Sequence, residues 1–131
     1  MTESPQELIA ELGRQLGLPQ LAWDGEGECA LLFDDDLHAE LRYSSDDGLL
    51  HLAAEVGALP VETAGDLLRR MAMANLDPGN LGLCHIALDR DTVVVGRCLA
   101  SQDLTSGILI DALRQTVLTA KTWRSCLHGA V

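Results

Sequence analysis

The sequence predicts an α+β fold in the order α-β-β-β-α-β-β-α, an antiparallel twisted sheet with helices packed on it. Three observations carry this reading. Apolar residues recur at helical spacing in three stretches, and five shorter runs alternate or stay apolar between turn residues. Consecutive strands are joined by short, turn-rich connections, which make hairpins and hence antiparallel pairing, with helices covering one face.

The first helix has the clearest start. Ser4 can cap the first turn, Pro5 suits the first helical position and Glu7 completes a capping box. Leu8, Ile9, Leu12 and Leu16 mark one helical face, Gly17 supplies a left-handed stop, and Pro19 prevents a restart. "WDGEGE", Trp23 to Glu28, is a turn-rich connector.

"CALLFD", "LHAELRY" and "LLHLAAEV" then read as three strands. In the middle one Leu37, Ala39, Leu41 and Tyr43 alternate with His38, Glu40 and Arg42. "SSDDG" has hairpin composition. Asp34, Asp35 and Asp36 stand where a three-residue hairpin loop is expected, and adjacent side chains on an extended chain diverge. The three carboxylates are therefore read as a turn, not as a metal site or an acid/base pair.

After a loop at Gly57 to Pro60, Thr63 is the expected cap of a second helix, which Asn75 or a nearby residue ends before Asp77-Pro78-Gly79. Leu67, Leu68, Met71 and Ala72 make its apolar stripe, and Met71 and Met73 suit either packing or an adaptable binding surface. "LGLCHIALD" and "TVVVGRCL" are two more strands, turned by Asp89-Arg90-Asp91. A final helix is expected from about Asp103, or Ser106 because Gly107 weakens the first turns, towards Cys126. Leu109, Leu113, Ala120, Trp123 and Leu127 lie near one face, widened by Ile110 and Val117. No repeat or interdomain linker interrupts the chain, so one domain over residues 1–131 is expected.

Charge and composition narrow the function. A net charge of -11 opposes nucleic acid and anionic membrane surfaces, which demand clustered Lys and Arg. No run approaches the roughly 18 apolar residues of a membrane span, and "MTESPQELIA" lacks the basic start and apolar segment of a secretory signal. The cytosol is the expected compartment. Cys29, Cys84, Cys98 and Cys126 form no C-x-x-C pair, so reduced packing cysteines are expected, not metal ligands. Glycine-rich phosphate loops, a G-x-S-x-G elbow and H-E-x-x-H are all missing. His38 and His51 fall at polar strand positions, and Cys84 and His85, being adjacent on a strand, point to opposite faces. No catalytic set and no cofactor site is expected.

The ordered set of local patterns carries a resemblance over nearly the whole chain. It comprises a Leu-rich first helix ending in "LG", then "ECALLFDDD", "LLHLAAEVGALP", "LLRRMAMANL", a strand pair, and a long helix closing in "AKTWRSCL". Gly57 with Leu59-Pro60, the Leu67-Leu68 pair leading to Asn75, and Trp123 are the most telling pieces. Together they resemble the class I type III secretion chaperones of the Tir-chaperone (CesT-like) family. Val117 and Ala120 stand where family members often carry an aromatic.

The resemblance implies a bacterial cytoplasmic homodimer that binds the N-terminal region of a secreted effector, keeps it non-globular and presents it to the secretion apparatus. It implies no cofactor and no catalysis, and leaves the secretion-system ATPase as a further candidate partner. It points to the second helix and following strand for dimerisation, where Leu68, Met71 and Ile86 are the candidates. For the effector, the first helix and first three strands are indicated. Leu8 and Leu12 are candidates there, with Leu32 and Leu49, which break the strand alternation. Such a segment either adds as a strand to an open sheet edge or lays apolar side chains on these residues. The alternative readings are a regulatory or stress domain of the YbjN group, which has a similar element order, and a small enzyme with a site assembled from distant residues.

Overall fold

The computed structural model describes residues 4–81, 83–102 and 104–129. Helix α1 (Pro5–Leu16) precedes a three-strand meander of β1 (Glu28–Phe33), β2 (Leu37–Ser44) and β3 (Leu49–Ala58). Helix α2 (Ala64–Asn75) and a 3-10 turn (Pro78–Leu81) lead to the hairpin of β4 (His85–Asp89) and β5 (Thr92–Ala100), and α3 (Ser106–Gly129) closes the chain. All strand pairs are antiparallel, in the spatial order β1-β2-β3-β5-β4. The last hairpin thus docks through β5 on β3, leaving β1 and β4 as the sheet edges.

Helix α1 forms as its sequence dictates. The Ser4 hydroxyl accepts from the Glu7 N–H at 3.2 Å, and the Glu7 carboxylate accepts from the Ser4 N–H at 3.0 Å. At the other end Gly17 is left-handed (φ 72), and the Leu18 and Gly17 amides return to Gly13 and Arg14 carbonyls. This is the six-to-one and five-to-two pattern of a Schellman stop. The Trp23 indole N–H donates to the Pro5 carbonyl at 2.9 Å, tying the connector back to the helix start.

The core lies on one face of the sheet. Leu31, Leu41, Leu50, Leu52, Val56, Val93 and Val95 are buried there with Leu8, Ile9 and Leu12 of α1 and Leu109, Ala112, Leu113 and Ala120 of α3. The opposite face carries the intervening residues, including Ala30, His38, Glu40, Arg42, His51, Ala53 and Cys98. The strand alternation read in the sequence is therefore a true two-sided pattern.

The three aspartates form the β1–β2 turn. Asp34 and Asp35 are both left-handed (φ 54 and 66), and the Asp36 N–H returns to the Phe33 carbonyl at 3.2 Å. Their partners lie on α3, where Asp34 pairs with Lys121, and Asp36 meets the Arg124 guanidinium at 3.2 Å. Arg124 also donates to the Val56, Glu55 and Asp36 carbonyls. One side chain so fastens the end of α3 to both the first hairpin and the β-bulge between Glu55 and Gly57.

Several expectations need correction. The fourth strand begins at His85, not in the "LGL" segment, because the chain first makes the 3-10 turn and then places Leu83 in a left-handed conformation (φ 69). Thr63 stands at the start of α2, but its side chain makes no capping bond. A helix start at Asp103 falls outside the described residues; α3 begins at Ser106, where the Thr105 hydroxyl accepts from the Ile108 N–H at 3.3 Å. The stripe assigned to α2 splits, since Leu67 and Met71 are buried whereas Leu68 and Ala72 face outward. All four cysteines are free, Cys29 and Cys84 buried, Cys126 half-buried and Cys98 exposed on the outer sheet face.

Candidate binding surfaces

The first surface is the β1 edge. The Tyr43 N–H bonds the Gly27 carbonyl, so odd-numbered residues of β1 point their main-chain groups towards β2 and even-numbered ones point them outward. Glu28 is already satisfied, because Asp24 accepts from its N–H at 2.9 Å and donates to its carbonyl at 2.8 Å. Ala30 and Leu32 remain, with outward main-chain groups that have no partner among the described residues. Beside them runs a groove of about 510 Å³ between the α1–β1 connector and the strand, lined by Leu18, Pro19, Leu21 and Leu32.

A second depression, of about 240 Å³, opens between α1 and α3. Leu12, Leu16 and Phe33 form one wall and Ile110, Val117 and Leu118 the other, with Arg114 and Lys121 at the rim. Phe33 and Leu32 are neighbours on β1 that face opposite sides, so the edge of this strand stands between the two apolar surfaces.

The third surface is on α2. Gly65, Leu68, Ala72 and Leu76 follow a three-four-four spacing on the outward side, with Leu68 39% and Leu76 88% exposed. Leu88 at the end of β4 is also exposed.

The structure distributes the candidate residues unevenly over these surfaces. Leu8 and Leu12 are buried, Leu12 at the wall of the α1–α3 depression. Leu32 is 53% exposed at the β1 edge. Leu49 is half-buried and pairs with Ser44, at the far end of β2 from the His38 that pairs with Leu32, so these two leucines are not brought together. Of the dimer candidates, Leu68 faces solvent, whereas Met71 and Ile86 are buried within the subunit. Sequence reasoning missed Leu76, whose exposure at the end of α2 follows from the helical spacing begun at Leu68. It also missed Leu118, because α3 is apolar on more than its core face.

Electrostatics add one feature near the β1 edge. The Glu40 carboxylate, with some loss of hydration and a shared hydrogen bond, holds the Glu28 carboxyl above its ordinary value. Burial raises the Cys29 thiol, which makes it a poor nucleophile. Among the described residues no group of three His, Cys, Asp or Glu is placed to hold a metal ion, and no helix is long and apolar enough to cross a membrane.

The sheet thus carries an open edge with an apolar surface on either side. The family model of the Tir chaperone protein (CesT) family matches residues 7–124. The chain belongs to the CesT family. Among curated proteins it is 33% identical to the transcriptional anti-antiactivator ExsC of Pseudomonas aeruginosa, over 97% of this chain and 88% of that one. Among solved structures, the ExsC–ExsE complex superposes with a TM-score of 0.82 at 24% identity, covering 96% of this chain and 95% of the other. The Yersinia pestis type III secretion chaperone SycH, solved with a stable fragment of YscM2, gives 0.74 at 23% identity, covering 91% and 98%. The expected resemblance and the expected element order are thus both met. As a CesT-family chain, this protein shares the fold of type III secretion chaperones.

Proposed function

We propose that this protein is a type III secretion chaperone that binds the N-terminal region of a cognate effector, keeps it non-globular and presents it to the secretion apparatus. The observation that carries this reading is the unpaired β1 edge at Ala30 and Leu32, set between two apolar surfaces. An extended segment added there gains main-chain hydrogen bonds, and its alternate side chains reach the Leu18–Leu32 groove and the α1–α3 depression. The protein acts by binding, without catalysis or cofactor, in the bacterial cytoplasm, as one domain. The secretion-system ATPase is a further partner of the loaded complex.

The functional unit in this reading is a homodimer. The exposed Leu68, Ala72 and Leu76 stripe is the contact proposed for a second copy, with Met71 and Ile86 supporting it from within the subunit. Leu49 and Leu8 contribute to cargo binding only through the shape of the strands and helix that carry the exposed residues.

Leu32→Glu tests the cargo reading. Co-purification of the effector from the native host should be lost while the thermal melt stays at the wild-type value, since Leu32 is on the outer face. Retained cargo with the charge in place would rule this surface out. A second reading is favoured by the 33% identity with an anti-antiactivator. In it the bound partner is a protein of transcriptional control that stays inside the cell. Identifying the co-purified protein by mass spectrometry, and asking whether it is secreted, separates the two.

A further inference from the structure

The two edges of the sheet are finished differently, and the difference lies in one side chain. The Asn75 carboxamide at the end of α2 accepts from the Ile86 N–H at 2.8 Å and donates to the Ile86 carbonyl at 2.7 Å. A residue of a neighbouring strand would make the same two bonds. Asn75 therefore stands in for a strand at the outer side of β4.

The rest of that edge is nearly filled as well. Because the Ile86 main-chain groups point away from β5, the residues of β4 with outward main-chain groups are the even-numbered ones. The Cys84 N–H, just before the strand, already bonds the Leu81 carbonyl at 3.0 Å. Among the described residues only Leu88 is left, which is too short a run to hold an added strand. On β1, by contrast, Ala30 and Leu32 are consecutive outward residues with nothing in their place.

We propose that Asn75 is a specificity-determining residue: by occupying both main-chain groups of Ile86 it closes the β4 edge and confines strand pairing to Ala30 and Leu32 on β1. The β1 half of the statement rests on the cargo reading above; the β4 half does not. Closure also fixes how a second copy approaches α2. It packs side chain against side chain and does not extend the sheet through two β4 strands.

Amide hydrogen exchange on the wild-type protein alone, followed by NMR, is the first test. The Ile86 amide should exchange roughly tenfold or more slowly than those of Ala30 and Leu32, as a bonded amide does relative to an open one. The reverse order would overturn the proposal. Asn75→Ala should then bring Ile86 to the rate of the open edge, and light scattering should show its mass rising with concentration beyond that of wild type. Adding Leu88→Pro, which removes the second outward donor beside the freed Ile86 N–H and leaves too short a run to pair, should return the mass to the wild-type value. Asn75→Asp keeps an acceptor for the Ile86 N–H but loses the donor to the Ile86 carbonyl, so its Ile86 exchange should fall between those of wild type and Asn75→Ala. An unchanged mass in Asn75→Ala, or association that Leu88→Pro leaves in place, would show that Asn75 does not guard this edge. None of these readings uses cargo, so they stand or fall separately from the chaperone reading.

Discussion

The strands β1 and β4 are edges of the same sheet, and both belong to hairpins whose turns use left-handed aspartate or arginine residues. One is left open beside an apolar groove; the other is sealed by a helix-borne amide. An open edge is a hazard in most proteins, since it templates pairing with any extended chain. Where one edge is sealed and the other left bare, the bare one is the place to look for a partner. The contrast also shows that sealing an edge takes neither a long strand nor a bulge. A single carboxamide at the end of a helix supplies both bonds.

The largest effect on this contrast is expected from Arg124→Ala. The guanidinium holds the first hairpin and the β3 bulge against α3, and among the described residues no comparable tie runs from α3 to β4. Hydrogen bonds from a charged, partly buried group are worth about 1.5–3 kcal/mol in all, so a loss of about 2 kcal/mol is expected in urea unfolding. Exchange should accelerate in β1 and β2 and stay unchanged in β4 and β5. Uniform acceleration would mean that the two edges share one cooperative unit.

Ala30→Pro sharpens the contrast at the open edge. Its amide points outward, so proline removes no bond to β2, and the melt should stay close to wild type. A partner strand loses a donor, and its affinity should fall about tenfold, equivalent to about 1.4 kcal/mol. A partner bound with unchanged affinity would place the contact elsewhere. A smaller effect, of opposite sign, is expected at Asp35. Its left-handed backbone strains a non-glycine residue, and unlike Asp34 and Asp36 it pairs with no cation of α3 among the described residues. Asp35→Gly should therefore stabilise the protein by up to about 1 kcal/mol, measured as a higher urea midpoint. Destabilisation would show that the Asp35 carboxylate has a role that a turn does not explain.

Much of this architecture was readable before any coordinates. Ser4, Pro5, Glu7 and Gly17 define α1 through local chemistry alone, and the alternation of Leu37 to Tyr43 defines β2 and its buried face. What failed was long-range. "LGLCHIALD" looks like a continuous strand, but Leu83 turns left-handed and only the second half pairs with β5. Leu8 and Leu12 are as apolar as cargo contacts should be, yet α3 covers them, and a sequence does not say which of two apolar faces another helix will take. Leu32 was identifiable because Leu31 already fills the inward position. Asn75 read as a helix end and as part of the family pattern, without its bonds, since its partner is main chain eleven residues away.

Acid titration gives the smallest expected effects, and their signs oppose. The Ser4 amide and hydroxyl hold Glu7 below its ordinary value, so its contribution to α1 is present at neutral pH and is lost as pH falls through that lowered value. Glu28, raised chiefly by Glu40, works the other way: protonation relieves repulsion at the open edge, and that relief is lost as pH rises through its raised value. In Tm measured against pH, Glu7→Gln should flatten the acid limb. Glu28→Gln should raise Tm at neutral pH and converge with wild type in acid. A lower neutral Tm for Glu28→Gln would mean that Arg42, not Glu40, governs that carboxylate.

The strand order bears on how the chain is made. Residues 28–58 complete a three-strand meander from local contacts, but the outer side of β3 finds β5 only when synthesis reaches residues 92–100. At the roughly 5–20 residues per second of translation, β3 spends a few seconds as a bare margin on the nascent chain. Its inward face of Leu50, Leu52, Ala54 and Val56 is wholly apolar, so for this interval an apolar, half-paired strand stands exposed on the nascent chain.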